Sequence, residues 1–195
     1  MKQSHNELAV QSRRWFMEAM IDLMNCKTFQ EITISELSTH ADLGRRTFYR
    51  NFTSKEDVIE SYLDLLIAEF ISRLIRQEVL TAKYCLMQLF ILCSNNKAFL
   101  VGLNNSNMLP FLLHKWNLSL PHIHTLMSEK IPNFPNQDSE NSLGYALAFN
   151  AGGVWNVTAK WVSSGMVESP KELTLIIMKM VRFSNVKIAR KSNPT

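Results

Sequence analysis

The chain has 195 residues, of which 46% are apolar and 19% charged, with a net charge of +4. That suffices for one large domain or two small ones with an ample core; the low share of charge leaves surface for a partner to cover. Three cysteines, Cys26, Cys85 and Cys93, without metal spacing argue against a disulfide framework, and no uninterrupted apolar run reaches the roughly eighteen residues of a membrane span.

The charge is local. Residues 1–56 carry eight basic and seven acidic side chains, residues 57–172 eight and ten, and residues 173–195 five basic and none acidic. The start of the chain has no apolar run of the signal-peptide kind, so the cytoplasm is the expected compartment, with no membrane. Phenylalanine (11) and methionine (10) are plentiful, as core filling or as an adaptable binding surface.

A first helix is predicted from Asn6 to Asn25, with Phe16, Ala19, Met20 and Leu23 as its buried stripe. Asn25 to Ile32 reads as a connection. Thr33 and Glu36 form a capping-box pattern for a two-turn helix whose inner face is Ile34, Leu37 and Ala41. Asp42, Leu43 and Gly44 make a turn, and a third short helix spans Arg45 to Asn51. Thr53 and Glu56 repeat the capping signature and open a long fourth helix that reaches toward Val79. Two short helices, a tight turn and a supporting helix make a helix-turn-helix unit.

The third helix carries the chemistry. Arg45, Arg46, Arg50 and Lys55 fall within eleven residues that hold no acid, and Phe48 and Phe52 lie four apart among them. One face then packs a core while the other meets a phosphate backbone. An arginine fork matches the O6/N7 edge of guanine, and Thr47 can meet a thymine methyl. Tyr49 and Lys55 suit phosphates, which set position and not sequence. Spacing alone does not decide which arginine reads a base; Arg45 is the first choice, and Arg50 serves equally as a phosphate clamp.

Beyond Thr81 the pattern stays helical, with segments at 82–94, 96–103, 108–117 and 121–130, a break at Asn104 to Asn107 and a loop at Ile131 to Asp138. A helix from Glu140 to Ser164 stops at Gly165. The last helix opens at Ser169, Pro170 and Glu172 and runs to Val186. The basic tail beyond it is read as a solvated, frayed end or as an accessory DNA arm.

The helix 140–164 is apolar nearly all round, and Gly152 and Gly153 within it cost about 1 kcal/mol each against Ala. Close approach of another backbone explains them, either within the chain or against a symmetry mate. A dimer contact through Gly152, Gly153, Ile176 and Met180 is expected. An apolar cavity is expected with Phe90, Phe99, Met108, Phe111, Trp116, Met127, Phe149 and Trp155 as candidate linings, each also readable as plain core. His114, Asn150 and Asn156 are weaker polar candidates. His122 and His124 do not share a helical face, so no metal or other cofactor is expected, and no nucleophile–base pair points to catalysis.

The runs Ile32 to Ala41 and Arg45 to Glu56, with Thr47-Phe-Tyr-Arg-Asn-Phe at their centre, resemble the DNA-binding domain of the tetracycline-repressor (TetR) family across residues 10–60. The block from Gly152 to Leu173 resembles the family's penultimate helix and the cap after it, while residues 80–135 resemble nothing specific. The resemblance implies an all-helical homodimer with two reading heads and a ligand cavity in each subunit. It implies that Thr33 caps its helix beside a phosphate and that Arg45, Arg46, Thr47 and Arg50 contact double-stranded DNA. Tyr49 and Lys55 would touch the backbone, and Phe48 and Phe52 would hold the helix to its core. Asp42 stands where the family usually has Gly, and Gly44 where it often has Ser or Thr.

The expected architecture is therefore all-α, of about nine helices. A helix-turn-helix DNA-binding domain at 1–53 leads through a connecting helix at 54–79 to an effector-binding and dimerisation domain at 80–188, with a flexible basic tail at 189–195. The expected function is a homodimeric transcriptional repressor, released from a near-palindromic operator by a small hydrophobic or aromatic molecule.

Overall fold

The computed structural model describes residues 2–131 and 140–184, and these are all helix and connection, with no strand among them. The helices are α1 (Lys2–Met24), α2 (Ile34–His40), α3 (Arg45–Asn51), α4 (Lys55–Ile75), α5 (Ala82–Asn95), α6 (Lys97–Asn105), α7 (Leu109–Lys130), α8 (Glu140–Ser163) and α9 (Pro170–Ser184).

The stripe on α1 is buried as its spacing predicts: Phe16, Ala19, Met20 and Leu23 all face inward, joined by Met24. Phe16 meets Phe48 and Phe52 edge-on, with ring centroids 5.3 and 5.9 Å away, so three aromatic rings fill the head. This core does not end at the head. It continues through Leu63 of α4 and Phe99, Leu100 and Leu103 of α6 to Phe90, Trp161 and Ile177. A smaller core of Phe70, Leu74, Leu80, Cys85, Leu92 and Ile123 closes the far end, where Trp116 stacks on Phe70.

Several boundaries move from the sequence reading. The segment read as a connection after α1 contains a 3₁₀ turn, Phe29–Glu31, with its own capping box between Thr28 and Glu31. The cap of α4 is Ser54, which accepts the Asp57 amide, while Asp57 reaches back to the amide of Thr53; the pair Thr53 and Glu56 is displaced by one residue. α4 stops at Ile75, where Lys130 donates to the carbonyls of Ile75 and Gln77 at 2.6 and 2.8 Å. The two segments at 108–117 and 121–130 are one helix, α7, which runs through Pro121. A helix-interior proline costs about 3 kcal/mol; buried Ile123 and the packing of α7 on α4 and α8 offset it.

Asp42 takes the left-handed conformation at φ 53°, so it does in the turn what a glycine would do. Gly44 has φ −75° and caps α3 through its backbone alone. Gly165, at φ +84°, ends α8 as expected, with the Met166 amide reaching the Trp161 carbonyl at 2.8 Å. Ser169 and Glu172 bond reciprocally at the start of α9. Most of the loop predicted at 131–138, and the tail at 189–195, lie outside the described residues.

Among the described residues no single helix is long and apolar enough to cross a membrane. α5 and α6 reach that composition only as a pair bent by 75°, and Phe90, Leu92, Phe99, Leu100 and Leu103 within them are buried in the core.

Candidate nucleic-acid interface and regulatory cavity

α3 is seated by its apolar side. Phe48 is fully buried and Phe52 nearly so, and the Leu43 amide closes the turn onto the Ser38 carbonyl at 2.9 Å. The opposite side presents Arg45, Arg46, Tyr49 and Arg50 to solvent, with Thr47 half-buried beside them. Arg46 and Arg50 share one row of the helix, and Arg45 and Tyr49 the next. Tyr49 is 54% exposed and rests edge-on against Phe48, so its ring is held while much of the side chain stays open to solvent. Thr33 accepts the Glu36 amide at 3.2 Å and caps α2 as predicted.

Most basic side chains near this face already have partners. Arg13 donates to the Asn51 carbonyl and to Ser61 Oγ, and lies over the Phe52 ring, which ties α1 to the end of α3 and to α4. Arg14 pairs with Glu18 at 2.9 Å. Lys27 pairs with Glu36 and holds that carboxyl below its ordinary value, chiefly by the hydrogen bond itself. Lys55, expected on a phosphate, instead donates to three carbonyls: Phe29 at 2.7 Å, Ile32 at 2.9 Å and Gln30 at 3.2 Å. Its ammonium also lies 4.4 Å from the centre of the Phe29 ring. An ammonium has three protons to give, and all three are committed. Lys55 thus clamps the 3₁₀ turn to the start of α4. Among the described residues, no acceptor holds Arg45, Arg46 or Arg50.

The head is also gripped from above. The buried amide of Phe29 donates to Ser106 Oγ at 2.8 Å, and Gln30 Nε2 to the Ser106 carbonyl at 3.0 Å. Ser106 is the C-cap of α6. A Cβ built on Gly102, one turn earlier, would sit 2.9 Å from Met24 Cβ, so α6 and α1 touch backbone to side chain.

Between α4, α5, α7 and α8 lies an apolar cavity of about 60 Å³. Leu63, Leu66 and Ile67 of α4 form one wall, and Leu89, Leu92 and Cys93 of α5 another. Leu112 and Trp116 come from α7, Leu100 from α6, and Val154, Trp155 and Thr158 from α8; Asn96 sits where α5 meets α6. Of the predicted linings only Trp116 and Trp155 are here. Phe90 and Phe99 are core, set edge-on against Trp161 and Tyr62 respectively. Met108 and Phe111 support the larger core and Met127 the smaller. Phe149 is 82% exposed and points away, and His114, Asn150 and Asn156 are exposed too. The missed signal was the α5 face Leu89, Leu92, Cys93 and Asn96, spaced i, i+3, i+4, i+7. Burial pushes the Cys93 thiol up to about 12 and Cys85 to about 11, so both stay protonated at neutral pH.

Among the described residues one apolar face is exposed. Tyr145 and Phe149 of α8 are 79% and 82% exposed, and Met180 of α9 is 60% exposed, with Ile176 beside it. A Cβ on Gly152 or Gly153 would meet nothing within 4 Å, so no packing among the described residues requires these glycines. Among the described residues no group of three His, Cys, Asp or Glu side chains is placed to hold a metal.

Comparison with known proteins bears on the head first. Residues 16–62 match the family described as bacterial regulatory proteins, tetR family. No curated protein matches the sequence. Three solved structures share the fold along nearly their whole length. The dihydroxyacetone kinase operon activator DhaS is 19% identical, with a TM-score of 0.65, over 90% of this chain and 96% of its own. A TetR transcriptional regulator from Streptococcus agalactiae 2603V is 18% identical, with a TM-score of 0.66, over 93% and 99%. The transcriptional regulator FadR from Bacillus subtilis, solved in complex with stearoyl-CoA, is 16% identical, with a TM-score of 0.63, over 86% and 96%. The matched segment is the aromatic-cored helix-turn-helix itself, so the chain carries a tetR-family DNA-binding head on an all-helical fold that these solved regulators share.

Proposed function

We propose that the protein is a homodimeric repressor that binds a near-palindromic operator and leaves it when a small hydrophobic or aromatic molecule occupies the cavity. The observation that carries this reading is the exposed face of Arg45, Arg46 and Arg50, cations without a partner among the described residues, on a helix seated by Phe48 and Phe52. Thr47, Tyr49 and Thr33 flank them, and Arg45 is assigned to a base edge. A dimer places two such helices in successive major grooves. The uncovered face of Phe149, Gly153, Ile176 and Met180 supports pairing of two copies there, where the glycines let helices approach closely. α4 links the sites, since it starts at the head with Ser54 and lines the cavity with Leu63, Leu66 and Ile67. A ligand shifts the balance of head separations only as far as its affinities for the two states differ.

The test is titration of the DNA flanking the protein's own gene with the wild-type chain and with Arg45→Ala, Arg46→Ala and Arg50→Ala, singly and together. Normal binding by a folded triple variant sinks the assignment. Phe149→Asp is expected to sediment as a monomer and to bind a half-site only weakly. DhaS, a similar structure, is named an operon activator; transcription from the bound promoter in a purified system therefore decides the sign, and a rise on adding the chain replaces repression by activation.

A further inference from the structure

We propose that the molecule recognised in the cavity is uncharged, largely apolar and equipped with one hydroxyl or amide group, and that Asn96 reads that group. The inference rests on the cavity being the effector site. Among the described residues its walls contain no carboxylate, ammonium, guanidinium or imidazole. A charged ligand would lose its hydration there and find no counter-charge. Asn96 and Thr158 are the amide and hydroxyl side chains of the lining, beside the donor-only indoles of Trp116 and Trp155 and the weakly polar Cys93 thiol. Thr158 has already donated its hydroxyl proton to the Val154 carbonyl at 2.8 Å.

Asn96 stands at a helix start where asparagine usually caps, yet its side chain makes no cap bond to α6. Nδ2 turns back to the Leu92 carbonyl at 2.8 Å, and Oδ1 accepts the Tyr62 hydroxyl at 2.6 Å. A primary amide offers two protons and two lone pairs. One of each is used, so one donor and one acceptor remain, the complement of a hydroxyl or an amide. Tyr62 keeps its proton at neutral pH, because burial first, and then Glu69 and Glu18, push its phenol up. A ligand hydroxyl on Oδ1 shares that oxygen with Tyr62, a residue of the helix that leads to the head. The cavity is small, about 60 Å³, against roughly 300 Å³ or more for sites that hold drug-sized ligands. A single-ring molecule is therefore favoured, and a larger one must part the helices.

Three probes of one shape test this: p-xylene, p-cresol and p-toluate, titrated at neutral pH by calorimetry and by tryptophan emission. Trp155→Phe and Trp116→Phe identify the cavity as the source of the signal. One added hydrogen bond predicts that p-cresol binds about fivefold more tightly than p-xylene. The buried charge predicts that p-toluate binds at least about a hundredfold more weakly than p-cresol. Asn96→Leu is expected to bring p-cresol down to the p-xylene level and leave p-xylene within about twofold, because p-xylene has no hydrogen bond to lose. Tyr62→Phe, which keeps the ring on Phe99, is expected to retain the p-cresol preference. The wild-type ranking holds the inference to account without any variant. Binding in the cavity with p-toluate as tight as p-cresol overturns the assignment to Asn96 alone, as does an unchanged p-cresol preference in Asn96→Leu. If none of the three binds, the cavity is no small-molecule site, and the reading on which the inference rests falls with it.

Discussion

Replacing Ser106 by Ala isolates the bond that joins the head to α6. Ser106 is 2% exposed and Phe29 4%, so solvent cannot easily replace the lost acceptor. The substitution removes Oγ, 2.8 Å from the Phe29 amide, and leaves that amide buried without a partner. An orphaned buried donor costs about 1–3 kcal/mol. Alanine loses no packing carbon and is no worse than serine at a helix end, so nothing offsets the loss by more than a few tenths of a kcal/mol. For a chain of this size each kcal/mol lowers the melting temperature by about 2–4 °C. The measurement is urea unfolding of the full chain, read as a shift in midpoint at unchanged slope. Gln30→Ala is the control. It removes a bond to the same residue from an exposed side chain and is expected to cost less than about 0.5 kcal/mol. If Ser106→Ala is as stable as wild type, or the control is the costlier of the two, the Phe29 amide has another way to be satisfied and the joint is not where it is placed here.

Lys55→Ala is expected to lose about 1–3 kcal/mol of stability, because three carbonyls lose a charged donor, while the salt dependence of DNA binding stays as in wild type. Arg50→Ala is expected to do the reverse, lowering the slope of log affinity against log salt by about 1 with little change in melting temperature; equal slopes for the two variants would refute the distinction. Acid should destabilise through Glu31, Glu36 and Glu172, whose carboxyls are held below the ordinary 4.5 by Thr28, Lys27 and Ser169 hydrogen bonds respectively. Depressed values in the folded state mean that the stabilisation is complete above 4.5 and is lost as pH falls through the lower folded values. Melting temperature against pH checks this, with a smaller acid slope expected for Glu31→Gln and an unchanged one refuting the role of the Thr28 box.

Local chemistry decided how much could be read without coordinates. α3 was legible to the residue, Arg45–Asn51, because a turn residue bounds it on one side and Phe52 must leave the helix to fill the core. The start of α9 and the stop at Gly165 were legible for the same reason, since Ser169, Glu172 and glycine act on their immediate neighbours. The 3₁₀ turn at Phe29–Glu31 carries the same Ser/Thr-x-x-Glu spacing and was passed over because no apolar period follows it. Long-range contacts were opaque. Lys55 looked like a free cation because its acceptors, the carbonyls of Phe29, Gln30 and Ile32, carry no side-chain signature and lie more than twenty positions away. The aromatic residues chosen for the cavity were chosen for size, and size is also what a core selects, so Phe90 and Phe99 went to the core and leucines lined the space.

Two helices run between the cavity and the head, and they are fixed differently. α4 is continuous with the head by covalent connection, and Arg13 and Lys55 fasten its first turns to α1, α3 and the 3₁₀ turn. α6 is fastened by packing. Its leading end is Asn96, in the cavity wall; its middle is Gly102, against Met24; its last cap is Ser106, on the Phe29 amide. The built Cβ at 2.9 Å from Met24 means that α6 has no slack against α1 at that point. A close-packed interior transmits such a displacement. Under the function proposed above, a ligand that moved Asn96 would push on the head through α6 as well as through Tyr62 and α4. Both helices hold the 3₁₀ turn, α6 at the Phe29 amide and α4 at the Phe29 carbonyl, while α4 alone also holds the ends of α1 and α3, so unequal movement of the two would turn the head. In the proposed dimer rotation is the motion that would matter, since it would carry the exposed arginines of α3 out of register with a groove one helical turn away.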